Sequence, residues 1–210
     1  MYKQSLTKTN RVRSNVYTSR VAWFVCGVEA MKKKKNTTTA VGYIPRQFAN
    51  LRLYPWQQDV LNTGNQFNDR VVDCIIDQDG CIGKSTLAGY ASLNGLAIDL
   101  PSQNEGLKLI QSACNILSGK QSHKPKIIFF DMPRAQNKHA LSELYSAIEE
   151  LKKGRVYDFR HKYTEWWFDS PRIWVFTNAE PQTKLLSPDR WRFWKVVDNK
   201  LVSYYSVAKK

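Results

Sequence analysis

Residues 80–86 read Gly-Cys-Ile-Gly-Lys-Ser-Thr. They sit between a β-branched apolar run, Arg70–Asp77 (RVVDCIID), and a segment of helical composition, Lys84–Leu93. A glycine-bearing loop that joins a strand to a helix presents backbone N–H groups and the positive end of a helix dipole to phosphate oxygens. With a lysine and a hydroxyl residue at the helix start, this is the context a phosphate-binding loop requires. Lys84 is expected to reach the β- and γ-phosphates of ATP, and the Ser85 hydroxyl to ligate Mg²⁺. Gly80, Cys81, Ile82, Gly83 and Thr86 complete the expected loop. The full pattern asks for glycine five positions before Gly83, where this chain has Gln78; Gly80 is expected to supply the flexibility instead.

The alternation continues beyond the loop. Gly95–Leu100 reads as a second strand, and Ser102 and Glu105 have the spacing of a capping box. Leu107, Ile110, Cys114 and Leu117 then form the apolar stripe of an amphipathic helix. Lys126–Asp131 (KIIFFD) has the continuous apolarity of a strand buried on both faces. Asn137–Gly154 reads as a helix, Arg155–Asp169 as a hairpin with a charged tip, and Arg172–Asn178 (RIWVFTN) as another buried strand. Trp191–Val202 has room for one or two more. Strand–helix alternation from 70 to 178 predicts an α/β fold, a mostly parallel sheet with helices on both faces and ligands at the strands' carboxyl ends.

Several further residues carry expectations. Asp131 ends its strand 47 residues after Lys84 and is the candidate carboxylate for the metal; the bland alternative is an acid at a helix start. Met132 follows it, where many nucleotide-driven motors place a second acid, so no general base for water is named by the sequence. Asn178 ends the next strand and is a candidate for orienting water or sensing hydrolysis, or else an ordinary turn residue. Arg190, in Ser187-Pro188-Asp189-Arg190-Trp191, is a candidate arginine finger toward a neighbouring subunit, or a surface ion-pair partner. The segment Arg155–Trp167 interleaves cations with rings, as single-strand binding surfaces do. Arg160, His161, Lys162 and Tyr163 are the expected contact residues at its tip, with Trp166, Trp167 and Phe168 mostly buried.

Charge is uneven along the chain. Of 32 Lys and Arg against 18 Asp and Glu, eleven bases and one acid, Glu29, fall in residues 1–55. That basic arm favours a polyanion through counterion release, against the alternative of a solvated tail. Residues 1–50 are expected to be a basic extension or linker and 51–210 the folded domain. Cys26, Cys74, Cys81 and Cys114 lack CxxC spacing, so no zinc site is expected and the thiols are read as reduced. The apolar run Val21–Val28 is too short to span a bilayer and no signal-cleavage pattern follows it, so a soluble nuclear or cytoplasmic chain is expected.

Taken in order, GCIGKST, FFDMPR, AIEELKKGRVYDFRHKY, WVFTNAEP and LSPDRW resemble the superfamily 3 helicase domain of replication-associated (Rep) proteins of circular single-stranded DNA viruses and their satellites. The likeness covers about residues 51–197, with Asp131, Pro133 and Arg134 and the Ser-x-Asp-Arg-Trp string as its most specific parts. The resemblance implies an AAA+-like P-loop NTPase core of three layers, assembly into homo-oligomeric rings, of hexamers, and ATP- and Mg²⁺-dependent travel on single-stranded DNA. It puts Lys84 and Ser85 on the Walker A positions, Asp131 on Walker B, Asn178 on the sensor and Lys162 near the DNA-contacting hairpin tip, and it makes Arg190 similar to the finger. It also implies a host nucleus for the work and no membrane. The family's nicking motifs are missing: no His precedes His123, and Ser5-Leu6-Thr7-Lys8 has serine where a Tyr-x-x-Lys string has tyrosine. Nickase activity is therefore not expected. Three alternatives stay open: a superfamily 3 RNA helicase of an RNA virus, a nucleic-acid-binding regulator with weak ATPase, and a P-loop small-molecule kinase.

Overall fold

A computed structural model of the chain describes residues 44–120, 124–132 and 138–204, all within one compact unit, Thr39–Lys210. Residues 1–43 of the basic arm, with Val21–Val28, Cys26 and the Ser5–Lys8 string, lie outside the described residues, as do His123, Pro133 and Arg134. The helices are α1 (Arg46–Ala49), α2 (Pro55–Asn62), α3 (Lys84–Leu93), α4 (Gly106–Lys120) and α5 (Lys138–Lys152). The strands are β1 (Val72–Ile76), β2 (Ile98–Leu100), β3 (Ile127–Asp131), β4 (Arg155–Asp158), β5 (Thr164–Trp167), β6 (Arg172–Thr177), β7 (Trp191–Val197) and β8 (Lys200–Ser203).

Among the described residues, six strands form one sheet in the order β2-β3-β6-β1-β7-β8. The first five run parallel, and β8 returns antiparallel to β7. Asp198 and Asn199 make that return with φ of 48° and 58°, the left-handed pair a two-residue hairpin turn needs. The period-two geometry of the strands sorts their side chains onto two faces. Cys74, Ile76, Ile128, Phe130, Ile173 and Val175 pack against α4 and α5. Ile75, Ile127, Phe129, Trp174 and Phe176 pack against Trp56 and Val60 of α2 and Leu87 and Ala91 of α3. The fold is thus α/β, with a mostly parallel sheet covered by helices on both sides.

Local chemistry moves several boundaries from their expected places. Strand β1 begins at Val72 because the Asn68 Oδ1 accepts the N–H groups of Arg70 and Val71 at 2.9 and 2.7 Å, bending the chain just before it. The expected capping box is not formed. Helix α4 starts at Gly106, the Glu105 carbonyl accepts the Leu109 N–H, and the Glu105 carboxylate pairs with Lys108. The folded unit also reaches further toward the N-terminus than residue 51, since the Phe48 ring lies directly against Gly89 of α3.

Helix α5 stops at Gly154, where φ is +79° and a Cβ would overlap the Phe168 carbonyl. The hairpin β4–β5 follows and stands apart from the main sheet. Its inner face packs on α4: the Trp166 Nε1 donates to Ser118 Oγ at 2.7 Å. Trp167, expected inside, is 63% exposed, because its register partner is Arg155 on the outward face. Trp166 and Phe168 are half-buried rather than enclosed.

The amino edge of the sheet holds a buried charge cluster. Asp73 is fully enclosed; Arg172 donates to one of its oxygens and Trp194 Nε1 to the other at 2.9 Å. Lys152, enclosed beside it, donates to the carbonyls of Asn68 and Pro171 at 2.5 and 2.8 Å. Burial pulls the Lys152 ammonium down to about 8 from 10.5, with Arg172 adding to the effect and Asp73 opposing it. A lysine lowered in the folded state binds fewer protons there than in the unfolded chain between those two values, so stability rises with pH across that window. Urea midpoints measured from pH 8 to 10 should therefore climb for the wild type relative to Lys152→Met; parallel profiles would contradict this.

Candidate functional site

The carboxyl edge of the sheet opens into a cavity of about 530 Å³. Its walls come from four loops: Asp77, Gly80, Cys81 and Gly83 with Lys84, Ser85 and Thr86 after β1; Ser102 after β2; Asp131 and Met132 at the end of β3; and Asn178 after β6. The volume is in the range of small-ligand sites. Residues 94 positions apart along the chain, Lys84 and Asn178, meet here because β1 and β6 are paired in parallel, with Ile76 opposite Thr177.

The loop has the backbone that phosphate binding asks for. Gly80, Cys81 and Gly83 have φ of 83°, 69° and 94°, left-handed conformations that let successive N–H groups converge on one anion. Gly83 then caps α3. Of the expected loop residues, Gly80, Cys81, Gly83, Lys84, Ser85 and Thr86 line the cavity. Ile82 turns the other way and packs on the core formed with α2 and α3; its contribution to the loop is backbone and anchoring.

Lys84 is 9% exposed, and its Nζ lies 2.7 Å from Asp77 Oδ2, itself almost enclosed. The other oxygen of Asp77 accepts the Gly80 N–H at 2.9 Å. The main chain of Asp77 is held at both ends: its N–H donates to the Thr177 carbonyl at 3.0 Å, and its carbonyl accepts Asn178 Nδ2 at 2.7 Å. Asn178 thus ties the end of β6 to the start of the phosphate-type loop. Buried Gln57 of α2 supports the loop from outside, donating to the Gly83 carbonyl at 3.0 Å while accepting the Tyr54 N–H at 2.9 Å. Neither Asp77 nor Gln57 belongs to the loop string itself. An acid three positions before the loop string was the only local sign of the first, and nothing near Gln57 marks the second.

Ser85 and Asp131 offer the hard oxygen donors a divalent cation such as Mg²⁺ takes, and both face the cavity. Among the described residues, no group of three or more His, Cys, Asp or Glu could hold a metal by protein ligands alone. A cation here would take its remaining ligand oxygens from water or a bound anion. Met132 is buried after Asp131, so the position expected to lack a second acid contributes a thioether wall. Ser102, freed from capping, adds a hydroxyl from the β2 side.

Arg190 is not in the cavity. It ends the short turn Pro188–Arg190 just before β7, and β7 runs parallel to β1 with Trp191 opposite Val72; the residue therefore sits at the amino edge, the far end of the sheet. Its Nε is 3.6 Å from Glu149. The neighbouring Asp189 pairs with Arg70 instead, Nε to Oδ2 2.7 Å. At the hairpin tip, Arg160, His161, Lys162 and Tyr163 are all exposed. The Arg160 guanidinium is engaged by Asp158, at 2.7 Å from Nη2 to Oδ2, and this contact holds the Asp158 carboxyl down at about 2. On the outward face the Arg155 guanidinium lies 5.4 Å from the Tyr157 ring centroid and 5.3 Å from that of Trp167.

No protein-family model matches the chain, and no curated protein matches it. Among the described residues, no helix is long and apolar enough to cross a membrane.

The Gln57 bridge gives a direct check on how the loop is held. Gln57→Leu keeps the volume and strands the Gly83 carbonyl and Tyr54 N–H, which should cost about 1–3 kcal/mol by urea denaturation. A loss within measurement error would show that α2 does not support the loop.

Proposed function

We propose that the chain is an ATP-hydrolysing motor domain acting on single-stranded nucleic acid, DNA in the first instance, of the superfamily 3, AAA+-like P-loop class. The observation that carries this reading is the meeting of Lys84, Ser85, Asp131 and Asn178, from three separate loops, around one cavity. In it, loop N–H groups and the Lys84 ammonium bind the phosphates, and Ser85 and Asp131 hold Mg²⁺, which supplies charge neutralisation when bound. Asn178, lining the same cavity, orients water or reports loss of the terminal phosphate in this reading. The parallel β3–β6–β1 arrangement agrees with the three-layer core that the sequence resemblance implies.

The ring, of hexamers in the resembled family, rests on the resemblance. At the amino edge of its own sheet Arg190 is remote from its own cavity, so a role as arginine finger requires a second copy of the chain. The hairpin tip supplies the nucleic-acid contacts: Lys162 and His161 as exposed cations, Tyr163 as a stacking ring, and Arg160 through its outer edge. The basic arm 1–55 adds sequence-independent affinity for phosphates. RNA in place of DNA is the same proposal with a different strand. Met132, in place of a second acid, and Gln78, in place of the loop's first glycine, favour a nucleic-acid-binding regulator with slow turnover.

The test is phosphate release from ATP with and without single-stranded DNA and RNA. Single strands should stimulate the wild type several-fold, and Lys84→Ala should lower the rate by about 100-fold or more. Equal rates for the two proteins would refute the reading, and strand binding with negligible turnover would assign the regulator. Separately, Lys162→Ala should weaken oligonucleotide binding and lower the slope of log affinity against log salt by about one; an unchanged slope would remove the tip from the contact surface.

A further inference from the structure

The strongest unexplained contact lies inside the cavity. Asp77 and Lys84 are 7% and 9% exposed and 2.7 Å apart, and the same carboxylate accepts the Gly80 N–H. One carboxylate therefore occupies the loop's ammonium and one of its backbone donors together, the two kinds of group that would grip a phosphate. Lys84 can serve several acceptors, but the Gly80 N–H has a single hydrogen to give. An arriving phosphate thus meets a donor already used and a like charge beside it.

We propose that the Asp77 carboxylate is a resident phosphate mimic, an internal competitor that holds the loop in a closed, nucleotide-free conformation and sets the affinity for nucleotide. The inference rests on the reading that this cavity takes a nucleotide. Because the Asp77 main chain is pinned to Thr177 and Asn178, the competitor leaves by side-chain rotation and the strand stays in place. Exchange is costly at each step, since a buried charge separated from its partner must find another. Apparent affinity then falls by the fraction of molecules in which the loop is open. In a loop with Gln78 in place of its first glycine, Asp77 closes the loop on itself through Gly80 and Lys84.

Asp77→Asn keeps the shape and a carbonyl acceptor for Gly80 while freeing Lys84 to seek an anion. In excess EDTA, calorimetric titration with ADP and with inorganic pyrophosphate should show both binding about tenfold tighter to Asp77→Asn than to wild type. Binding by the variant alone would also support the competitor. Wild-type binding that Asp77→Asn leaves equal or weaker would overturn it while leaving the nucleotide site intact. A change seen with Mg²⁺ and absent in EDTA would overturn it too, making Asp77 a cation ligand. No binding of either probe to either protein would remove the site and the competitor together. Asp77→Ser serves if circular dichroism shows Asp77→Asn unfolded. In the wild type alone, stopped-flow association of a fluorescent ADP should reach a plateau rate at high concentration, the rate of opening; a linear dependence throughout would overturn the proposal.

Discussion

Three parallel strands held level with one another decide where Asp77, Lys84, Asp131 and Asn178 can stand in the cavity. β6 lies between β1 and β3, with Ile76 opposite Thr177 and Asp131 opposite Phe176. The ladder runs one rung beyond each neighbouring strand: Asp77 N–H donates to the Thr177 carbonyl and Met132 N–H to that of Phe176. These bonds set the exits of three loops at the same height and pointing the same way. A slip of one residue in either pairing would move a whole strand's side chains to the opposite face. It would bury Asp131 or turn the phosphate-type loop away from it.

The register is itself held by packing on both faces. Every residue of β1 and β6 is buried. The Phe129 and Phe176 rings stack across β3 and β6 at 5.3 Å, and Trp174 meets Trp194 at 6.1 Å. The two edges of this sheet hold opposite arrangements of charge. At the amino edge Asp73, Arg172 and Lys152 are enclosed among bonded partners and serve the fold. At the carboxyl edge Lys84 and Asp77 are nearly as enclosed but border an open cavity. Arg190, expected among catalytic groups, belongs to the first edge.

Much of this was legible in the residues. Continuous apolar runs marked β1, β3 and β6, because a strand covered on both faces has no polar side to interrupt it. The glycine-lysine string marked the loop, and the acid and amide that end two strands marked the other walls. What stayed hidden depended on long-range pairing. Ser102 and Glu105 had capping-box spacing, but the helix began later and Ser102 became a wall of the cavity. Trp167 looked like core until its register partner, Arg155, placed it outside. Gln57 reaches the loop from α2 across 26 residues, and Asp73 is an acid inside an apolar run whose partners come from β6 and β7. Local pattern reports which residues are apolar and how they are spaced; it does not report which neighbour a buried polar group will find.

The central claim is that Lys84, Ser85 and Asp131 converge on a single Mg-nucleotide at the carboxyl edge of the sheet. Equilibrium titration of ADP with and without Mg²⁺ tests it most directly. The account predicts that Mg²⁺ tightens ADP binding to the wild type by about tenfold or more, and that Ser85→Ala and Asp131→Asn each remove that gain while binding without Mg²⁺ persists. ADP binding that responds to Mg²⁺ equally in all three proteins would contradict it.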